Sequence, residues 1–96
     1  MNTNGNKKKA RLLGRYIVAD PKICHGQLTF VGTRILVSDV LEMVASGMSW
    51  SLIEKEWRGH VTKEAIAEAV RIASTALYDH SEQYAIKQYD LARTAS

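Results

Sequence analysis

The chain has 96 residues, of which 46% are hydrophobic, and a formal net charge of +3. This length predicts one small domain, and the composition is that of a globular protein. It has no apolar run of about 20 residues, which excludes a membrane-spanning helix, and no hydrophobic stretch behind its early lysines, which excludes a secretory signal. A single cysteine, Cys24, cannot form an internal disulfide, so we expect a soluble protein of the reducing cytoplasm.

The first predicted element is a basic N-terminal arm. No acidic residue precedes Tyr16, whereas five cations do, namely Lys7, Lys8, Lys9, Arg11 and Arg15. The remainder of the chain has eight basic and ten acidic residues, a balance of −2. Because this composition buries little apolar surface, we predict a flexible arm over residues 1–13. The arm is either a solubilising tail or a segment that binds DNA through Lys7, Lys8, Lys9 and Arg11.

Short strands are predicted after the arm. The sequence "RYIVADP" indicates a strand that ends at Asp20-Pro21, since proline cannot donate to a strand ladder. After a loop with its turn at Gly26, "LTFV" and "RILV" predict a tight hairpin or bulged bend in which Gly32 has a positive φ. Strands this short must lie against helices or against a second copy of the chain. We therefore predict a homodimer.

Two helices are predicted next. Ser38 is a suitable N-cap for the first helix, and Gly47 is a suitable residue to follow its end. Either Ser49 or Ser51 is expected to cap the second helix, which Gly59 ends. Trp57 of the second helix is predicted to lie in the core. Trp50 has two possible positions, one in the core and one exposed in a protein interface, where tryptophan is enriched.

A third helix is predicted from its cap at Thr62. Its apolar positions follow the helical period and are Ile66, Ala69, Val70, Ala73, Ala76 and Leu77. A short turn between the second and third helices is typical of a helix-turn-helix, whose recognition helix would span Thr62 to about Thr75. We predict DNA contacts from Thr62, Lys63 and Arg71. The exposed face of this helix is nearly neutral, which argues against DNA reading; it comprises Lys63, Glu64, Ala67, Glu68, Arg71 and Thr75.

The last predicted element is a C-terminal helical extension over residues 79–96, either a final helix or a continuation of the third. The apolar pattern loosens after Tyr78, although some helical character persists at Tyr84, Ile86, Tyr89 and Leu91. The tyrosines of this segment have two interpretations. They form a partner-binding strip, or they cover an open side of the domain.

Ile17–Ile53 resembles the bacterial domain-of-unknown-function family 433. That family has an Asp-Pro near its start, a glycine, a Gly-Thr-Arg before an apolar strand, a helix ending in glycine and a second helix beginning with serine. The matching positions are Asp20-Pro21, Gly26, Gly32-Thr33-Arg34-Ile35, Val37 and Gly47-Met48-Ser49. The third helix matches in its Thr-x-Glu start, so the resemblance covers roughly residues 16–78. The sequence departs from the pattern where the turn before the third helix has Arg58-Gly59-His60 in place of a proline.

The resemblance implies a mainly α fold with a small β element. Short strands would precede a three-helix homeodomain-like or winged helix-turn-helix core over residues 14–78, and a C-terminal helix would follow. The resemblance also implies an antitoxin-like, DNA-binding transcription regulator that pairs with a PIN-like nuclease toxin. The alternative is a protein-interaction module, for toxin neutralisation or dimerisation, that does not bind DNA itself. The near-neutral third helix and the acidic body motivate this alternative.

Two motifs are interpreted as structural. They are the Asp-Pro motif, Asp20-Pro21, and the Gly-Thr-Arg motif, Gly32-Thr33-Arg34. The Arg34 guanidinium would contact a phosphate or a partner's carboxylate, or it would pair with Asp20 or Asp39 and fix the hairpin onto the helix. The second interpretation is favoured because these residues in a tight bend suit local hydrogen bonding.

We expect no metal, no cofactor and no catalytic residue. Cys24 and His25 are adjacent, but His60 and His80 lack the paired spacing of zinc ligands, so a thiol at least half-buried beside a loop histidine is predicted. The sequence has no glycine-rich phosphate loop, nucleophile elbow or paired-histidine helix. We therefore predict that the protein is not an enzyme.

Overall fold

A computed structural model describes residues 9–86, which form a small antiparallel sheet followed by three α-helices. The elements are β1 (Arg11–Leu12), β2 (Ile17–Ala19), β3 (Leu28–Phe30), α1 (Val37–Ala45), α2 (Trp50–Glu56) and α3 (Lys63–Asp79). Single 3₁₀ turns span Cys24–Gly26 and Ser81–Tyr84. The prediction of a mainly α fold with a small β element is confirmed. Within the described part of the chain, no helix has the length and apolar character required to cross a membrane.

The sheet has the strand order β1-β2-β3, with both pairs antiparallel. Arg11 pairs with Ala19 and Leu12 with Val18, so these two residues of the predicted flexible arm belong to a strand. The arm prediction is wrong at Arg11 and Leu12 because strand pairing uses the backbone alone. Leu12 contributes little burial, with 68% of its surface exposed. Residues 1–8 of the predicted arm lie outside the described residues.

One hydrophobic core joins the sheet to all three helices. Its buried members are Ile17, Phe30, Val37, Val40, Ile53, Val61, Ala65, Ile66 and Ala69. Trp57 is half-buried against this core, as predicted, and its indole N–H donates to Met43 Sδ at 3.2 Å. Trp50, left open from the sequence, is exposed.

The residues after Gly32 turn into a helix rather than into a second hairpin strand. Gly32 has a φ of 79°, as predicted, and the Thr33 hydroxyl donates to Phe30 O at 2.8 Å. Only an isolated bridge between Thr29 and Leu36 remains of the expected second strand, and α1 begins at Val37. Of the two predicted forms, a tight hairpin and a bulged bend, the structure is closer to the bend, across which Phe30 N donates to Ile35 O at 3.2 Å. The second strand does not form, because a short apolar run fits a strand and the start of a buried helix equally well.

The helix caps follow the sequence signals at two of three positions. Thr62 Oγ1 accepts from Ala65 N at 3.2 Å, so the predicted cap of α3 is confirmed. Of the two candidates for the cap of α2, Ser49 and Ser51, the cap is Ser49, whose Oγ accepts from Leu52 N at 3.1 Å. The prediction for Ser38 is wrong, because the N-cap of α1 is Leu36, two residues earlier, and it makes no side-chain cap. The early start buries Val37, which offsets the missing cap.

The C-terminal part of α3 extends past the core. Between Ala73 and Asp79, every residue except Ala76 is exposed. Leu77 and Ala73 follow the apolar period of α3 as the sequence indicated, yet Leu77 is 55% exposed and Ala73 is exposed as well. The cause is length: α3 has 17 residues, whereas α1 has nine and α2 has seven. Residues 87–96 of the predicted extension, including Tyr89 and Leu91, lie outside the described residues.

Candidate functional site

Glu68 of α3 holds the loop between β1 and β2. Its Oε1 accepts from the Arg15 backbone N–H and its Oε2 from that of Tyr16, both at 2.9 Å. Gly14 lies directly against this carboxylate, and a Cβ at Gly14 would be only 2.6 Å from Glu68 Cδ. The sequence interpretation placed Glu68 on the solvent face of a recognition helix. That interpretation is wrong, because the carboxylate is half-buried and occupied by two backbone donors.

A groove of about 530 Å³ lies between this loop and α3. Leu13 and Gly14 line it from the loop, and Arg71, Thr75 and Asp79 are among its lining residues on the helix. The predicted base-reading residue Arg71 is exposed, and it borders the N-terminal loop as well as solvent. A ligand that contacts Arg71 would therefore also meet this loop.

The predicted DNA contacts on α3 separate into two kinds. Lys63 and Arg71 are exposed, and eight residues along a helix place them on one face about 12 Å apart. Thr62 is half-buried, and its hydroxyl oxygen already accepts the bond that caps the helix. The face also carries the exposed Glu64, so its net charge is small.

The cations of the N-terminal segment lie partly within the described residues. Lys9 and Arg11 are exposed at the β1 edge of the sheet, and Arg15 lies over the ring of Tyr16, with 5.8 Å from Cζ to the ring centroid. Lys7 and Lys8 lie outside the described residues. Of the described cations in this segment, Arg11 therefore belongs to a strand of the sheet.

The Asp-Pro and Gly-Thr-Arg residues make local bonds. Asp20 Oδ1 accepts from Lys22 N at 2.9 Å, and Thr33 Oγ1 accepts from Ile35 N at 3.0 Å. Arg34 is exposed, and within residues 9–86 its guanidinium forms no ion pair with Asp20 or Asp39. The favoured interpretation of Arg34 as an ion-pair partner is therefore wrong, since its side chain points to solvent while only its backbone is used. The backbone carbonyl oxygen of Arg34 accepts a hydrogen bond from Cys24 Sγ at 3.7 Å.

The Cys24 thiol is half-buried, as predicted, and His25 beside it is exposed. His60 and His80 are exposed on separate segments. Among residues 9–86, no three His, Cys, Asp or Glu side chains come together as a metal site.

One feature of the site was missed from the sequence, and a second was predicted only as one of two alternatives. The first is Glu68, whose backbone partners are 52 and 53 residues away in the chain, so that no local pattern indicates the contact. The second is a group of apolar side chains that are exposed among residues 9–86, here called the C-terminal apolar surface: Leu77, Tyr78, Tyr84 and Ile86. The exposed fractions of Tyr78 and Ile86 are 83% and 99%. The loosened apolar pattern after Tyr78 was the available signal for it.

Comparison with curated proteins and with solved structures gave no match. Comparison with protein-family models matched residues 17–73 to the family described as "Protein of unknown function (DUF433)". The match starts at β2 and ends within α3, so it covers the sheet from β2 onward and the three-helix core. The chain therefore belongs to this family, domain-of-unknown-function family 433.

Proposed function

We propose that this protein is an antitoxin-like transcription regulator that binds DNA and pairs with a PIN-like nuclease toxin. The observation that carries the proposal is the division of α3 into two parts. Its first turns are capped by Thr62 and present Lys63 to solvent, and its last turns expose Leu77 and Tyr78. A helix with a polar end and an uncovered apolar end suits a protein with two partners.

The DNA-binding part of the proposal rests on exposed cations. Lys63 and Arg71 lie on one face of α3, and Lys9 and Arg11 lie at the edge of the sheet. Phosphate contacts by such residues fix the orientation of a protein on the duplex, whereas a residue that reaches a base edge provides sequence preference. Arg71 is the candidate for base reading because arginine binds guanine with two parallel hydrogen bonds.

The partner-binding part rests on the C-terminal apolar surface. Exposed aromatic residues are enriched at protein interfaces, and Tyr78 and Tyr84 are 83% and 59% exposed. A toxin or a second copy of the chain could cover Leu77 and these tyrosines. Burial of their apolar surface would then stabilise the complex. The same surface is the basis for the proposed homodimer.

The alternative function is a protein-interaction module that neutralises a toxin without binding DNA. It is favoured by the engagement of Glu68 with the N-terminal loop, which leaves less of α3 free to enter a major groove. An electrophoretic shift assay with the DNA upstream of its own gene, at several salt concentrations, separates the two. Salt-sensitive binding with preference over random DNA supports the regulator, and absence of binding to both DNAs supports the module. Equal binding to both DNAs would contradict the module and would leave the regulator without an operator preference.

Arg71→Ala is expected to weaken binding to a preferred operator about tenfold and to affect random DNA much less, because a lost base contact removes discrimination. The shift assay on both DNAs measures the two effects. Lys22→Ala, which removes an exposed cation from the loop after β2, is the control and should leave the preference intact. An equal loss on operator and random DNA would show that Arg71 contacts only phosphate.

Light scattering at micromolar concentration is expected to give about twice the chain mass of 10.7 kDa. Leu77→Glu should shift the protein toward the monomer mass, since it puts a charge into the C-terminal apolar surface. The matched control is Leu52→Glu on α2, at a leucine that is 45% exposed. A wild-type mass near 10.7 kDa would contradict the dimer.

A further inference from the structure

We propose that a pocket at the β1 edge of the sheet binds a phosphate group. The pocket has a volume of about 220 Å³ and is lined by Lys9, Arg11, Ala19, Pro21, His25 and Gly26. Two cations and one imidazole thus face a single small space, and no acidic residue within residues 9–86 lines it. Like charges placed together without a counter-charge favour an anionic ligand.

Backbone structure holds the cationic side of this pocket in place. Arg11 pairs with Ala19 across β1 and β2, which fixes it beside another lining residue. Strand pairing therefore positions Arg11, and Lys9 lines the same pocket from two residues earlier in the chain.

The histidine side is held by an unusual turn. Cys24, His25 and Gly26 have φ values of 50°, 58° and 83°, three consecutive residues in the left-handed region. The turn is closed by Gly26 N donating to Ile23 O at 3.0 Å and by Gln27 N donating to Cys24 O at 3.1 Å. For cysteine and histidine, this conformation is unfavourable because it brings Cβ close to the following carbonyl oxygen. Strain of this kind is concentrated at functional sites, and here it places an exposed imidazole at the pocket.

The chemistry of these groups fits phosphate. A guanidinium donates two parallel hydrogen bonds to phosphate oxygens, an ammonium adds a point charge and an imidazole N–H adds a further donor. The volume is below the range of about 300–1,000 Å³ that is typical of sites for larger organic ligands. One phosphate group, from a nucleic-acid backbone or from free phosphate, is therefore the ligand class. The pocket shares Lys9 and Arg11 with the proposed DNA-binding surface, so this inference rests in part on the proposed function and adds His25 and Gly26 to that site.

Titration of the full-length protein with inorganic phosphate, followed by amide NMR at constant ionic strength, tests the pocket. Saturable chemical-shift changes are expected at the amides of Arg11, His25 and Gly26. Sodium chloride, which supplies chloride as the reference anion, should not produce them. Arg11→Gln should weaken phosphate binding at least tenfold. His25→Asn should weaken phosphate binding by a smaller factor than Arg11→Gln. Asparagine tolerates the left-handed turn, so only the imidazole donor is lost. Lys55→Gln, at an exposed lysine on α2, is the control and should bind as the wild type does.

A short random-sequence DNA duplex identifies the source of the phosphate. If the duplex shifts the same amides and inorganic phosphate displaces it, the source is the nucleic-acid backbone. If the duplex leaves these amides unchanged while inorganic phosphate saturates them, the source is a small phosphate compound. Shifts that do not saturate, that chloride reproduces, or that persist in both Arg11→Gln and His25→Asn would overturn the pocket. Failure of the operator shift assay with a saturable phosphate site would reject DNA regulation alone.

Discussion

Replacement of Lys7, Lys8, Lys9 and Arg11 together by glutamine is expected to flatten the salt dependence of DNA binding by about 3 to 4 units per chain. Each phosphate neutralised contributes a slope of about −0.9 in log affinity against log salt, and four cations are removed. The shift assay at four or five salt concentrations gives the slope. Substitution is preferable to deletion of residues 1–13, because deletion would also remove β1 and its pairing with Val18 and Ala19.

A second variant with the same loss of charge is the control. It replaces four exposed cations outside the N-terminal segment by glutamine: Lys22, Arg34, Lys55 and Arg58. If the N-terminal cations contact phosphates, only the first variant should flatten the slope. An equal change in both variants would indicate a general effect of net charge. No change in the first variant would leave the N-terminal cations as a solubilising segment only.

Glu68→Ala is expected to lower the free energy of unfolding by about 2–3 kcal/mol. The substitution removes two hydrogen bonds to a charged acceptor, each worth about 1.5–3 kcal/mol, and the bond to Arg15 lies in an exposed position where water offsets part of the loss. Urea denaturation of the wild type and the variant measures the difference. Glu42→Ala, at an exposed glutamate of α1, is the control and should change stability by less than about 0.5 kcal/mol.

Gly14→Ala tests the same contact from the other side. The added methyl group would displace the Glu68 carboxylate, so this variant should also be less stable than the wild type. Combined with Glu68→Ala, the alanine at position 14 should cost much less, since the group that it displaces is gone. Stability of Glu68→Ala equal to that of the wild type would mean that water replaces the carboxylate at both amides without loss.

The features predicted correctly from the sequence are those with a local physical cause. Ser49 and Thr62 each accept a hydrogen bond from a backbone N–H three residues later, so the residue type and its spacing were sufficient. Gly32 is in a left-handed position of a tight turn, which glycine adopts at no steric cost. The core position of Trp57 followed from helical periodicity.

The features that were missed depend on distant parts of the chain. The local sequence allows Val37 to begin a helix or to continue a strand. In the structure Val37 begins α1, and its side chain is buried in the core. The sequence places Glu68 on the exposed face of α3, and only the distant N-terminal loop supplies the backbone donors that bind its carboxylate. Leu77 matched the apolar period of α3, but the period shows only which face is apolar and not whether anything covers that face.

The unequal lengths of the helices have a consequence for how a partner would bind. At 1.5 Å per residue, α3 is about 25 Å long, whereas α1 and α2 are about 13 Å and 10 Å. The last two turns of α3 therefore depend mainly on their own backbone hydrogen bonds, and such segments open locally without unfolding the domain. A partner that covers Leu77 and Tyr78 would suppress this fraying, so part of its binding energy would go into ordering the helix end. Complex formation would then slow amide hydrogen exchange at residues that contact the partner and at neighbours that do not.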